Sequence, residues 1–147
     1  MYRNVVVGTD GSESAEGAVR HAAGLAKAFG ARLTVVTVFQ RNPEETARVQ
    51  VDAPEEIRWM LTDAVTAEEK ANHGRTLAKE LGLSDVRVRI GDGDPAEQLV
   101  EAAEDTGADL IVVGSKGMTG AKRFLLGSVP NRVSHHAPCD LVIVHTV

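Results

Sequence analysis

Aromatic side chains are scarce in this 147-residue sequence: one Trp, one Tyr and three Phe make up 3% of it. Binders of single-stranded nucleic acid stack bases on aromatic rings, and cages for quaternary ammonium groups are built from the same rings. Positive charge is also limited, because 16 Lys and Arg stand against 21 Asp and Glu, for a net charge of −5. The composition therefore argues against a dedicated nucleic-acid binder and predicts an aliphatic core.

Cysteine and long apolar runs are nearly absent as well. Cys139 is the single cysteine, so no internal disulfide can form and a reducing compartment is expected. No apolar run approaches the roughly 18 residues that a membrane span needs. The first residues also lack the apolar stretch of a secretory signal. We therefore expect a cytoplasmic protein with no membrane partner.

Short β-branched runs alternate with segments of helical periodicity along the whole chain. The runs predict strands over residues 4–8, 32–39, 85–90, 109–113 and 141–145. The periodic segments predict helices over residues 15–26, 55–81 and 95–106, and a short one containing Val129 and Val133 after Ser128. Polar residues 40–54 are interpreted as a surface loop and residues 91–95 as a turn. This order predicts one α/β domain over residues 1–147, a parallel sheet with helices on both faces.

Capping residues fix several predicted helix ends. Ser12 or Ser14 is expected to cap the first helix, and Gly30 to end it in the left-handed conformation. Asp94 is the expected N-cap of the third helix, with Pro95 after it and Gly107 at its end. The predicted apolar stripe of the second helix is Ile57, Met60, Leu61, Ala64, Ala71, Ala78 and Leu81.

Two loops have the position and chemistry of a binding site. In an open parallel sheet, ligands bind beyond the carboxyl ends of the strands, where the strand order reverses. Residues 8–12 follow the first strand, and the glycine-rich residues 114–120 follow the fourth. Glycine allows close backbone approach to an anion, and Gly127-Ser128 precedes a helix start, which attracts phosphate. Lys116, Lys122 and Arg123 add positive charge nearby.

Other readings of these residues are weaker. A single glycine here would usually mark only a tight turn, but the whole set favours a phosphate site. No GxxxxGK[ST] sequence exists, and Gly91-Asp92-Gly93 lacks the third glycine of a dinucleotide fingerprint. A metal site can be imagined from His135, His136, Cys139 and His145, but neighbouring helical residues point apart. No activating base is evident for Cys139 as a nucleophile.

The glycine spacing carries a specific resemblance. Gly114, Gly117, Gly127 and Ser128 match the pattern G-2x-G-9x-G-[ST] in full, and on it the chain resembles the universal stress protein family. The runs VVVGTDGSESAEGAVRHAAGLA and RFLLGSVPNRVSHHAPCDLVIV are similar to the family's two ends. The resemblance covers essentially the whole chain and leaves residues 40–58 as its variable part. One departure is Asp140, where many relatives have proline.

The resemblance implies a Rossmann-like, open, five-stranded parallel sheet of order 3-2-1-4-5. It also implies an adenine nucleotide, ATP or a relative such as cyclic AMP, between the first and fourth strands. By position, Gly8, Thr9 and Asp10 would line the nucleoside side, and Val38 would contact adenine through its backbone. Ribose and phosphates would be held by Gly114, Ser115, Lys116, Gly117, Met118, Thr119 and Gly120, and the phosphate end by Gly127, Ser128 and Val129.

Asp10 has two open interpretations. It could hold the ribose or a Mg²⁺ ion on the phosphates, or it could serve only as a turn residue. No other metal is expected.

The expected function is regulatory: a nucleotide-binding stress-response protein with at most slow ATP hydrolysis and no dedicated catalysis. One alternative is an adenylating ATP pyrophosphatase, whose SGGxDS-like loop is only loosely similar to GTDGSES here. Another is an interaction protein that binds no nucleotide. The resemblance implies a homodimer through the last strand, Leu141 to His145, and an apolar edge strand would otherwise risk aggregation.

Overall fold

The computed structural model describes residues 1–39, 53–115 and 128–146, with the side chains of all but residues 53–64 and 128. The strands are β1 (Asn4–Gly8), β2 (Arg32–Phe39), β3 (Val86–Asp92), β4 (Leu110–Gly114) and β5 (Asp140–Val144). The helices are α1 (Glu13–Phe29), α2 (Ala53–Glu80), α3 (Pro95–Thr106) and α4 (Ser128–His136). Strands and helices alternate as the periodicities predict.

The five strands form one parallel sheet of order β3-β2-β1-β4-β5. This confirms the α/β class and the strand order that the resemblance implies. The chain runs outward from β1 to β3 in one direction, and then crosses back to place β4 on the other side of β1. The order therefore reverses between β1 and β4.

The sheet has an aliphatic core on each face. Val5, Val7 and Leu33 face α1 and α2, whereas Val6, Val36 and Ile111 face α3 and α4. The β-branched residues of β1 and β4 are almost completely buried on both faces, as expected for central parallel strands. Buried apolar residues in the described part of the chain are Val, Leu, Ile and Ala, which confirms the predicted aliphatic core.

The predicted caps of α1 and α3 are confirmed. Ser12 accepts a hydrogen bond from the Ala15 N–H, and Asp94 accepts one from the Glu97 N–H. Gly30 and Gly107 end these helices with φ of 66° each, a left-handed conformation that suits glycine. These caps fix where each helix starts and ends relative to the sheet.

Several predicted boundaries were wrong. Residues 91–92 extend β3, because Gly91 and Asp92 pair with the end of the eight-residue β2. Helix α2 begins at Ala53, inside the predicted loop, since proline suits a first helical turn. Leu81 lies beyond α2 and is 42% exposed, and Leu83 is buried instead. Strands β4 and β5 are displaced by one residue, in opposite directions, from the predicted ranges.

The side chains of the predicted α2 stripe from Ile57 to Ala64 are not described, and residues 40–52 of the predicted surface loop lie outside the described residues. Among the described helices, none has both the length and the apolar character required to cross a membrane.

Candidate functional site

A cleft opens at the carboxyl ends of β1 and β4, where the strand order reverses. Strands β1 and β4 pair directly beneath the cleft, through Val5, Val6 and Val7 of β1. Its described lining consists of Gly8, Thr9, Asp10, Ser14, Ala15, Val113, Gly114 and Val129. Residues of the predicted first loop and Gly114, the first residue of the predicted second loop, thus line one cleft, at the position of a ligand site in an open parallel sheet.

Gly8 forms part of the lining where the backbone passes close to α3. A Cβ atom at position 8 would lie 3.1 Å and 3.2 Å from the two methyl carbons of Leu99. Leu99 is buried in the core beneath. Glycine therefore lets β1 and α3 pack tightly at this end of the sheet.

The first loop, residues 9–12, is held by one hydrogen bond to β2 and by another within the loop. The Thr9 N–H donates to the Val36 carbonyl over 2.9 Å, and Thr9 Oγ1 accepts from the Gly11 N–H over 3.1 Å. Gly11 has a φ of 82°, which side chains rarely tolerate. This geometry fixes the backbone beside the cleft.

The carboxylate of Asp10 accepts a hydrogen bond within the turn and can accept further hydrogen bonds. Its Oδ1 accepts a 2.9 Å hydrogen bond from the Ser12 N–H, which is the turn role considered from the sequence. A carboxylate has about four lone-pair sites, so further acceptor capacity remains. Asp10 also lines the cleft.

The opposite side of the cleft is joined to the end of β5. The Ser115 N–H donates to the Val144 carbonyl over 2.8 Å, and Ser115 Oγ accepts from the Thr146 N–H over 3.1 Å. A Cβ atom on Gly114 would lie 3.2 Å from Thr146 Oγ1. The Ser115 hydroxyl, predicted as a ligand contact, therefore has a structural role at the start of the glycine-rich segment.

Helix α4 presents its N-terminus to the cleft. Ser128 is its first residue, and Val129 is buried in the core while also lining the cleft. The first N–H groups of a helix lack partners within the helix and carry partial positive charge. Arg132 forms an ion pair with Asp94, which ties α4 to the start of α3.

The remaining predicted site residues have different outcomes. Val38 lies in β2, paired with Gly91 of β3, and packs partly against the core on the α3 face. It is two residues beyond Val36, whose carbonyl accepts from Thr9. The side chain of Ser128 is not described. Six residues lie outside the described part of the chain altogether: Lys116, Gly117, Met118, Thr119, Gly120 and Gly127.

Three lining residues of the cleft and one residue next to it were not predicted as site residues from the sequence. Ser14 was predicted only as a possible helix cap, and Ala15 and Val113 only as the ends of a predicted helix and strand, yet all three line the cleft. Lys70 of α2 lies against Gly11. Strand ends and helix starts at the reversal point could have suggested the first three. No local pattern indicates Lys70.

Cys139 is separate from the cleft. It precedes β5 and so lies at the amino end of the sheet, opposite the cleft. Burial, followed by the nearby Asp140 and Asp109, raises the pKa of its thiol, which disfavours the reactive thiolate. Cys139 and His145 flank opposite ends of β5, roughly 20 Å apart along an extended strand, so they cannot share a metal within the chain.

Comparisons with known proteins agree with this architecture. The sequence profile described as the universal stress protein family matches residues 1–145. A protein of Staphylococcus aureus that carries the universal stress protein name is 33% identical over 146 residues, which span 99% of this chain and 85% of that protein.

Solved structures give the same result. A universal stress protein in complex with cAMP is 34% identical, with a TM-score of 0.73 and coverage of 99% of this chain and 98% of that one. The universal stress protein UspA from Lactobacillus plantarum has a TM-score of 0.80, with coverage of 97% of each chain. At 24% identity, that likeness shows the fold alone.

Proposed function

The chain belongs to the universal stress protein family, and we propose that it binds an adenine nucleotide in the cleft between β1 and β4. The observation that carries the proposal is the shared lining: Gly8 at the end of β1 and Asp10 of the first loop lie in one cleft with Gly114 and Val129. A 34% identical relative of the same fold was solved with cAMP, which supports the same ligand class here.

Different residues of the proposed site would contact different parts of the nucleotide. Asp10 would accept from the ribose or hold a Mg²⁺ ion on the phosphates, and the backbone of Val38 would contact adenine. The N-terminus of α4, with Ser128, Val129 and the preceding Gly127, would hold the phosphate end. The glycine-rich segment from Gly114 to Gly120, including Lys116, would enclose the ribose and phosphates.

The proposed role is regulatory. Asp10 is the acidic residue among those described in the cleft lining, and Ser12 already donates to it. Hydrolysis of ATP needs a base positioned on an attacking water, and the described lining offers no base with a second group to orient it. We therefore propose nucleotide binding with at most slow hydrolysis, in a protein that acts through partners.

Calorimetric titration of protein stripped of co-purified ligand tests the binding. We expect micromolar affinity for at least one of ATP, ADP, AMP and cyclic AMP, and the order of affinities will identify the preferred ligand. Absence of heat with all four would refute the proposal and favour an interaction protein without nucleotide. Release of pyrophosphate from ATP would instead favour the adenylating alternative.

A substitution in the glycine pattern gives a second test. Gly117→Val should abolish nucleotide binding while the urea unfolding midpoint stays near that of the wild type. Gly24→Val is the matched control, because Gly24 lies in α1 with no atom within 4 Å of an added Cβ. The control should bind as the wild type does, and equal loss in both variants would contradict the assignment.

A further inference from the structure

We propose that Lys70 of α2 is an additional binding residue of this site, supplying positive charge beside the loop that carries Asp10. The inference rests on the proposed nucleotide binding and goes beyond it, because it assigns a residue from a helix outside both predicted loops. The ligand class that Lys70 would favour is the more highly phosphorylated nucleotide.

Lys70 is in close contact with the first loop. A Cβ atom on Gly11 would lie 3.0 Å from Lys70 Cγ, 3.3 Å from its Cδ and 3.6 Å from its Cβ. The aliphatic stem of Lys70 thus covers Gly11, while its ammonium group lies two bonds beyond Cδ. Long basic side chains commonly bury the stem in this way and keep the charge in water.

Neighbouring residues of α2 fix this position. Gly74 brings the helix so close to the sheet that a Cβ there would lie 2.9 Å from Val35 Cγ1 and 3.6 Å from Thr9 Cγ2. His73 Nε2 lies 2.9 Å from Glu16 Oε1 of α1. Residues 70, 73 and 74 share one side of a helix, so both contacts hold Lys70 over Gly11.

The charge of Lys70 is not used elsewhere in the described structure. Arg32, Arg89 and Arg132 each pair with a carboxylate. The Lys70 ammonium forms no ion pair with any carboxylate among the described residues. An exposed cation whose stem lies over the first loop and which has no carboxylate partner is available to a ligand anion.

The carboxylate of Asp10 explains why a positive charge beside this loop would favour nucleotide binding. A carboxylate in the cleft repels nucleotide phosphates, and the chain has a net charge of −5. Lys70 lies at Gly11, the residue after Asp10, and offsets that repulsion. Because Coulomb energy scales with ligand charge, the benefit should grow from adenosine through cyclic AMP and AMP to ATP.

The test is the Lys70→Met variant, which keeps most of the stem and removes the charge. By titration at low ionic strength we expect about a threefold to tenfold loss of affinity for ATP, and progressively smaller losses for AMP and cyclic AMP. Adenosine affinity should be unchanged. The loss for ATP should shrink at high salt, and Lys70→Arg should restore binding.

Lys79→Met is the matched control, since Lys79 is in the last turn of the same helix. It should leave all four affinities unchanged. A loss in Lys70→Met that is equal for ATP and adenosine would overturn the charge assignment and indicate a packing role. If the wild type binds ATP and Lys70→Met binds it equally well, the Lys70 inference fails alone. If the wild type binds no nucleotide, the proposed function fails first.

Discussion

The absence of a Cβ atom at Gly74 allows α2 to lie close to the sheet. An alanine Cβ at this residue would lie 2.9 Å from Val35 Cγ1, closer than real Cβ atoms pack. Val35 is fully buried and has a stiff, branched side chain, so it cannot move aside cheaply. The resulting strain should exceed the helical preference of alanine.

Gly74→Ala should therefore lower the free energy of unfolding by about 1–2 kcal/mol, the overpacking cost less the gain in helix propensity. Gly24→Ala is the matched control, because nothing lies within 4 Å of its added Cβ. It should raise stability by roughly 0.5–1 kcal/mol. Urea unfolding of both variants measures the difference, and stabilisation in both would contradict the packing argument.

Asp94 links two helices at the element scale. It caps α3 by accepting from the Glu97 N–H over 2.9 Å and pairs with Arg132 of α4. Burial tends to raise the pKa of Asp94, but the Glu97 N–H and the Arg132 guanidinium outweigh burial and hold that pKa below its usual range. The ionised form thus stabilises the folded chain.

Because the folded pKa of Asp94 is depressed, its contribution to stability is present above the unfolded value near 3.8 and is lost as pH falls through the folded value. Asp94→Ala should cost about 1 kcal/mol at pH 7. Asp94→Asn, which keeps a capping side chain, should cost less. The gap in urea midpoint between Asp94→Asn and the wild type should narrow as pH falls from 7 to below about 3.8, and a gap independent of pH would contradict the linkage.

Local sequence signals predicted most of these elements. The helix caps act on backbone groups only a few residues away, so each can be predicted from a short segment of sequence. These caps are Ser12, Asp94, Gly30 and Gly107. The alternation of β-branched runs likewise predicts strands without knowledge of their neighbours. The position of the cleft follows from this order, because the carboxyl ends of parallel strands lie at one edge of the sheet.

Features that depend on packing across elements were not predictable in this way. The extension of β3 to Asp92 depends on the length of its partner β2. Lys70 looks like any solvated lysine in sequence, and it reaches the first loop only because Gly74 brings α2 close to the sheet. From the sequence alone, glycine at position 74 is expected to weaken the helix. Only the close approach to Val35 shows why glycine is needed there.

The two edges of the sheet differ in character at the scale of the whole molecule. Strand β3 carries Arg87 and Arg89, which pair with acidic neighbours, and charged side chains protect an edge from further pairing. Strand β5 has the sequence DLVIV, and its four aliphatic residues are only half-buried. An edge of this kind favours pairing with another chain.

We therefore predict a homodimer formed through residues Leu141 to His145, which include most of β5 and the residue after it. Ile143→Lys places a charge on this edge and should convert the dimer to a monomer in sedimentation at micromolar concentration, because an unpaired charge cannot be buried cheaply at an interface. Val88→Lys is the matched control, a half-buried aliphatic residue of β3 on the opposite edge, and should remain dimeric. Titration with the preferred nucleotide confirms that each variant is folded. A monomeric wild type, or loss of the dimer in Val88→Lys alone, would rule out β5 as the interface.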